Sequence, residues 1–168
     1  MGLLDASHMP RGVVAITTDL AETAYIGNTE TMVYQLPFTA APKRIYRVHL
    51  QAYSADTDGV GDNTNSAIRY AKNSVIVRCR WASGSTVTTS GTNIGNHRVT
   101  VYDDDSTTSS SADCTFYLIN PPRGQLTVGI SIWAARTPAT GTGGFGQVRF
   151  LVSTGSHLSI EDVGPYSE

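Results

Sequence analysis

Nine short segments of the chain alternate apolar and polar residues with a period of two, and none shows the 3.6-residue period of an amphipathic helix. Arg44 to Tyr53 is the clearest. Tyr46, Val48, Leu50 and Ala52 fall on one side, and Ile45, Arg47, His49, Gln51 and Tyr53 on the other. Successive side chains leave opposite faces of a strand, so this pattern describes a sheet with one buried and one wet face. The further segments are Gly12–Thr18, Thr31–Leu36, Ala67–Trp81, Arg98–Tyr102, Ala112–Ile119, Gly124–Ala134, Gln147–Ser153 and His157–Val163. Pro37 is expected to stop its strand, because proline removes a ladder donor. Ser83–Asn96, rich in Ser, Thr, Gly and Asn, reads as a ragged hairpin, and Leu20–Asn28 as a turn or a further strand.

Strands at this spacing, separated by turn residues, predict an all-β chain: an antiparallel two-sheet sandwich of jelly-roll type. Extended arms flank it, so the expected division is an N-terminal arm 1–11, a sandwich 12–162 and a C-terminal tail 163–168. Leu3, Leu4 and Tyr166 are the arm residues whose burial on a partner would stabilise docking, each leucine by about 1.5–3 kcal/mol. With 40% hydrophobic residues among 168, the chain has material for one substantial core. Charged residues make up only 15%, against about 25% in ordinary domains. Its polar surface therefore rests on Ser, Thr, Asn, Gln and Gly, which suits packed assemblies.

A net charge of −2 gives no long-range attraction to nucleic acid or anionic lipid, so neither is an expected partner. No apolar run approaches the roughly 20 residues of a membrane span. Met1–Pro10 lacks the cationic start and apolar stretch of a secretory signal. Cys79 and Cys114 both fall on core faces, as two buried free thiols or, alternatively, as a bridge between facing strands.

Candidate chemistry is sparse. Asp56-Thr57-Asp58-Gly59-Val60-Gly61-Asp62-Asn63 reads as a polar loop, and carboxylates at alternate positions around glycines can wrap a hard cation. Asp56, Asp58 and Asp62 are the calcium-ligand candidates, weighed against a loop whose Asp and Asn bond their own backbone. Asp103-Asp104-Asp105, with Asp113, forms a second acidic cluster that reads as a solvated loop tip. His8, His49, His97 and His157 show no metal-ligand spacing, and neither a nucleophile elbow nor a phosphate loop occurs. No catalytic residue and no cofactor is expected. Tyr53, Tyr102, Tyr117 and Trp133 point away from the core or border it, where rings stack on sugars or fill subunit interfaces. The loops 56–66, 83–96 and 103–113 would then form the rim of a carbohydrate-binding or adhesion module.

Near the ends stand Pro10-Arg11-Gly12-Val13-Val14-Ala15 and His157-Leu158-Ser159-Ile160-Glu161-Asp162-Val163-Gly164-Pro165. In the middle stand Arg80-Trp81-Ala82-Ser83-Gly84-Ser85 and Pro121-Pro122-Arg123-Gly124-Gln125-Leu126-Thr127-Val128. In these phrases the chain resembles small virion proteins of tailed phages that infect actinobacteria. The resemblance implies a minor tail or tail-fibre component, or alternatively a head decoration protein. It further implies a homotrimer or larger ring, contact with other virion proteins and with host-surface glycan, and assembly in the host cytoplasm into the virion.

Overall fold

The computed structural model describes residues 9–58, 72–102, 110–136 and 146–167. It contains β1 (Gly12–Thr17), β2 (Thr31–Ala40), β3 (Arg44–Asp58), β4 (Lys72–Ser83), β5 (Thr92–Tyr102), β6 (Ser110–Ile119), β7 (Gly124–Arg136), β8 (Gln147–Leu151) and β9 (His157–Pro165). One sheet has the order β1-β9-β3-β6, with β8 also on β3; the other has the order β2-β7-β4-β5. All pairings are antiparallel. β4 pairs β5, β3 pairs β6, β2 pairs β7 and β1 pairs β9, so the chain is one long hairpin rolled on itself. That nesting is the jelly roll expected from the alternation.

The inward rows of the two sheets make one core. Val48, Leu50, Leu158, Ile160 and Phe150 of the first sheet meet Val75, Val77, Val128, Ile130 and Ile132 of the second, all fully buried. Cys114 and Cys79 sit in the same layer as free thiols.

Most strand ends differ from expectation by a residue or more, and three of the differences have a clear physical meaning. β2 runs through Pro37, which pairs with Thr127. β2 is an edge strand, where a missing N–H faces outward and breaks no ladder bond. β5 takes in Thr92–Asn96, so only 84–91 remains a connection. β3 continues to Asp58 after a register shift between Ala52 and Ala55, so Asp56 stands in a strand and not in a loop.

The boundaries between body and arms lie nearer the two termini than expected. Arg44 and Asp162, both on inward rows, form an ion pair of 2.6 Å with side chains 4% and 1% exposed. Arg44 donates a second bond to the Met9 carbonyl at 2.6 Å, and the Arg11 N–H donates to the Asp162 carbonyl at 3.2 Å. Residues 9–11 therefore belong to the folded body. At the other end β9 continues through Val163–Pro165, and the Tyr166 N–H donates to the Lys43 carbonyl at 2.9 Å. Leu3 and Leu4 lie outside the described residues.

The middle of the outer face of the β2-β7-β4-β5 sheet is covered by its own chain, while Gln35, Pro37 and Thr39 of β2 and Asn93, Asn96 and Arg98 of β5 stay exposed at its edges. The connection 84–91 folds back over it and buries Val87 against Gly129. A Cβ on Gly129 would stand 2.4 Å from Val87 Cγ1 and 2.6 Å from Met32 Sδ, so only glycine admits this cover. Beside it Glu30 accepts from Arg80 Nε at 2.7 Å, Arg78 Nη1 at 2.8 Å and Ser131 Oγ at 2.6 Å. This clamp ties the turn before β2 to β4 and β7. Arg78 also stacks over the Trp133 ring, 4.6 Å from its centroid.

Two expectations follow. The Arg80 hydrogen bond holds the Glu30 carboxyl below its ordinary range, against the opposing effect of burial. A depressed folded value contributes stability above the unfolded glutamate pKa of about 4.3, lost as pH falls through the folded value. Urea unfolding of wild type and Glu30→Gln across acidic pH should therefore show a stability gap that shrinks below about pH 4.3. Asp162→Asn leaves a buried guanidinium without its counter-charge and should cost about 3 kcal/mol or more, read as a lower melting temperature. The double change Arg44→Met, Asp162→Leu should recover most of that loss, because it removes both charges.

Candidate functional site

The outer face of the β1-β9-β3-β6 sheet has no such cover among the described residues. Its rows follow from register. Val13, Glu161, Arg47 and Tyr117 share one level, and Ile16, Ser159, His49 and Thr115 the next. Arg47 and Glu161 form a cross-strand ion pair. The level beyond carries His157, Gln51 and Asp113, and Tyr53 follows on β3.

At that last level the face is hollowed into a groove of about 340 Å³. Gln51 lies in its floor. Ser111 and Asp113 of β6 stand on one side, and Thr154 and Gly155 of the β8–β9 connection on the other. Tyr53 is 63% exposed at its end. The connection is held in place from beneath. The buried Ser156 hydroxyl accepts from the Tyr53 N–H and the Ser153 N–H, both at 3.1 Å. Gly155 has φ +99°, a left-handed turn that suits glycine. His157 Nδ1–H donates to the Gly155 carbonyl at 2.9 Å.

Around the groove, residues distant in sequence converge. His49 Nε2 donates to Asp113 Oδ1 at 2.9 Å, and the His49 and His157 rings meet edge to face at 5.2 Å. Nothing in the spacing of the histidines foretold this pairing; only the β3–β9 register brings them together. The arrangement offers an exposed ring, a carboxylate with one oxygen engaged, and an amide. Among the described residues, no three His, Cys, Asp or Glu side chains are placed to hold a metal ion.

The sequence-predicted candidates are scattered. Asp56 sits on the same outer face, where Arg149 Nε donates to its carboxylate at 2.8 Å and the Tyr25 hydroxyl at 3.2 Å. Its carboxylate is thus an ion-pair partner in a strand, not part of a cation-wrapping loop. The Asp58 side chain, Asp62 and Asp103–Asp105 lie outside the described residues. Tyr166 is half-buried beside Lys43 and Pro165. The aromatics do not cluster: Trp133 lies on the opposite sheet, and Tyr117 lies at the Arg47 level, six residues along β3 from Tyr53. The expected three-loop rim also divides. The 84–91 connection lies at the end where β7 begins, whereas Asp58, Tyr102 and Ser110 end or begin strands at the opposite end.

The molecule is thus a jelly-roll sandwich with one face covered over its middle by its own chain and one open, polar and aromatic face. Across residues 3–168 the chain matches a family described as a domain of unknown function, DUF7298, and it belongs to that family. No curated protein matches it. No helix among the described residues is long and apolar enough to cross a membrane.

The thiols complete the chemical inventory. Burial, then the neighbouring Asp113, pushes the Cys114 thiol up to about 11; burial, then Cys114 nearby, pushes Cys79 higher still. At pH 8 roughly one Cys114 in a thousand is thiolate, so native protein should not react with a thiol reagent, while unfolded protein should titrate two groups. Rapid native labelling would contradict the buried placement.

Proposed function

We propose that this chain is a structural protein of a tailed-phage virion, a minor tail or tail-fibre component that works by assembling with copies of itself and with other virion proteins. The sequence phrases at both ends and in the middle supply the phage resemblance. The jelly roll supports a structural reading, since capsid domains commonly use it, as lectins do. The observation that carries the reading is the edge strand β1.

β1, Gly-Val-Val-Ala-Ile-Thr, is a run of β-branched residues with an unpaired outer edge among the described residues. Val13 and Ile16 are 59% and 54% exposed. It carries no lysine, proline or inward charge, three of the devices that keep edges from pairing, although a register shift between Val13 and Ala15 interrupts its ladder near the start. The other edge of that sheet is β6, where Tyr117 and Ile119 are also more than half exposed and His97 Nε2–H donates to the Thr115 carbonyl at 2.9 Å, so pairing there would displace that side chain. Copies related by rotation about an axis along the strands would set β1 of one beside β6 of the next. The two strands run antiparallel in that arrangement, and Val13 meets Tyr117 of the next copy at the same level. Such a head-to-tail contact closes into a ring.

Light scattering should give a solution mass that is a multiple of the 17.9 kDa chain. Ile16→Lys and Tyr117→Lys, both at exposed positions, should keep the wild-type circular dichroism, fall to the mass of one chain and fail to enter purified phage particles. Incorporation of both variants at wild-type level would overturn the reading. Copy number per particle separates a tail component, present in a handful of copies, from a head decoration protein, present in hundreds.

A further inference from the structure

We infer that the groove over Gln51 is a carbohydrate-binding site for an uncharged hexopyranose, with Tyr53 as its stacking platform. A pyranose ring has one apolar face of C–H groups and a rim of hydroxyls. It is recognised where an aromatic ring covers that face while acceptors and donors meet the rim. This groove supplies all three elements within one turn of the sheet.

Tyr53 is large, apolar and left in water at 63% exposure, on a face where its neighbours are polar. Asp113 is 67% exposed and has Oδ1 held by His49, which fixes the carboxylate and leaves Oδ2 turned to solvent among the described residues. A carboxylate accepts from two adjacent hydroxyls, and bonds to a charged acceptor are the stronger ones. Gln51 lies opposite Asp113 in the register and offers both an acceptor and a donor from the floor. The walls are fixed before any sugar arrives, because Ser156 and His157 pin the β8–β9 connection. Preorganisation of this kind limits the ordering cost of binding. Among the described residues Asp113 is the one carboxylate lining the groove, and it selects against acidic sugars by like-charge repulsion.

The inference deepens the virion reading, since a particle component with an outward sugar site fits contact with a host surface, and it rests on that reading only for the source of the glycan. An array of neutral oligosaccharides of glucose, galactose, mannose and N-acetylglucosamine, with sialylated and uronic-acid glycans alongside, should give binding to neutral members. Titration of the best binder by calorimetry should then weaken at least about tenfold in Tyr53→Ala and about tenfold in Asp113→Asn. Arg123→Ala, at the far end of the sandwich, should bind as wild type. Absence of binding to every neutral glycan, preference for acidic ones, or undiminished binding by Tyr53→Ala would overturn the inference. Wild-type protein that binds no neutral glycan, while Ile16→Lys and Tyr117→Lys fail to enter particles, rejects this site alone; neutral-glycan binding by wild type, with both lysine variants incorporated at wild-type level, rejects the assembly reading alone.

Discussion

The buried pair of Arg44 and Asp162 sets the frame in which the rest of the sandwich is built. Two charges removed from water are tolerated only when each satisfies the other. Here Arg44 opens β3 and Asp162 lies on β9, 118 residues later. Their bond therefore holds the register of the first sheet's two central strands from the end where both begin or finish. The same guanidinium reaches the Met9 carbonyl, and the Asp162 carboxylate accepts from the Gly164 N–H at 3.1 Å. One ionic contact thus fixes where β1 starts and where β9 ends. Because side chains alternate, a slip of one residue would turn every apolar group of either strand outward.

That frame leaves the two sheets with opposite surfaces. On one, Val87 seats over Gly129, Thr127 donates to the Gly84 carbonyl at 2.7 Å, and Glu30 gathers two arginines and a serine. The outward-facing Thr127 and Ser131 are consequently as buried as core residues. On the other sheet the outward residues remain accessible, from Val13 and Tyr117 to Tyr53. The chain spends its own connection to close the middle of one face and leaves the other accessible across its width.

The alternating pattern made the sandwich legible, because burial on one side of a strand writes itself into every second residue. Cys79 and Cys114 were read correctly as core-facing for the same reason. Positions whose meaning depends on the partner strand were not legible. Pro37 signals a strand end unless β2 is known to be an edge. Asp56 looks like a loop ligand until β8 brings Arg149 beside it across 93 residues. Glu30 carries no local signal at all; its importance arises from Arg78 and Arg80 on a strand 48 and 50 residues away. The Tyr53 groove was half visible, since an outward tyrosine could be read from alternation, whereas its junction with Asp113 and His157 needed the register of three strands.

A rolled hairpin of this kind serves both particle shells and sugar-binding domains, so architecture alone decides between them no further than the surface allows. In this chain the two uses would occupy different levels of one face. The two edges present Val13 and Tyr117 at the Arg47 level, while the groove is centred on Gln51 and Tyr53. Six residues of β3 between Arg47 and Tyr53 span about 20 Å. Neighbours joined edge to edge would extend the sheet sideways and leave its outer surface open, with a groove repeated once per copy. Several weak sites held in one ring engage a repetitive surface far more tightly than one site does, without any new contact. Under the two proposals, assembly and sugar recognition would reinforce each other from one side of the fold.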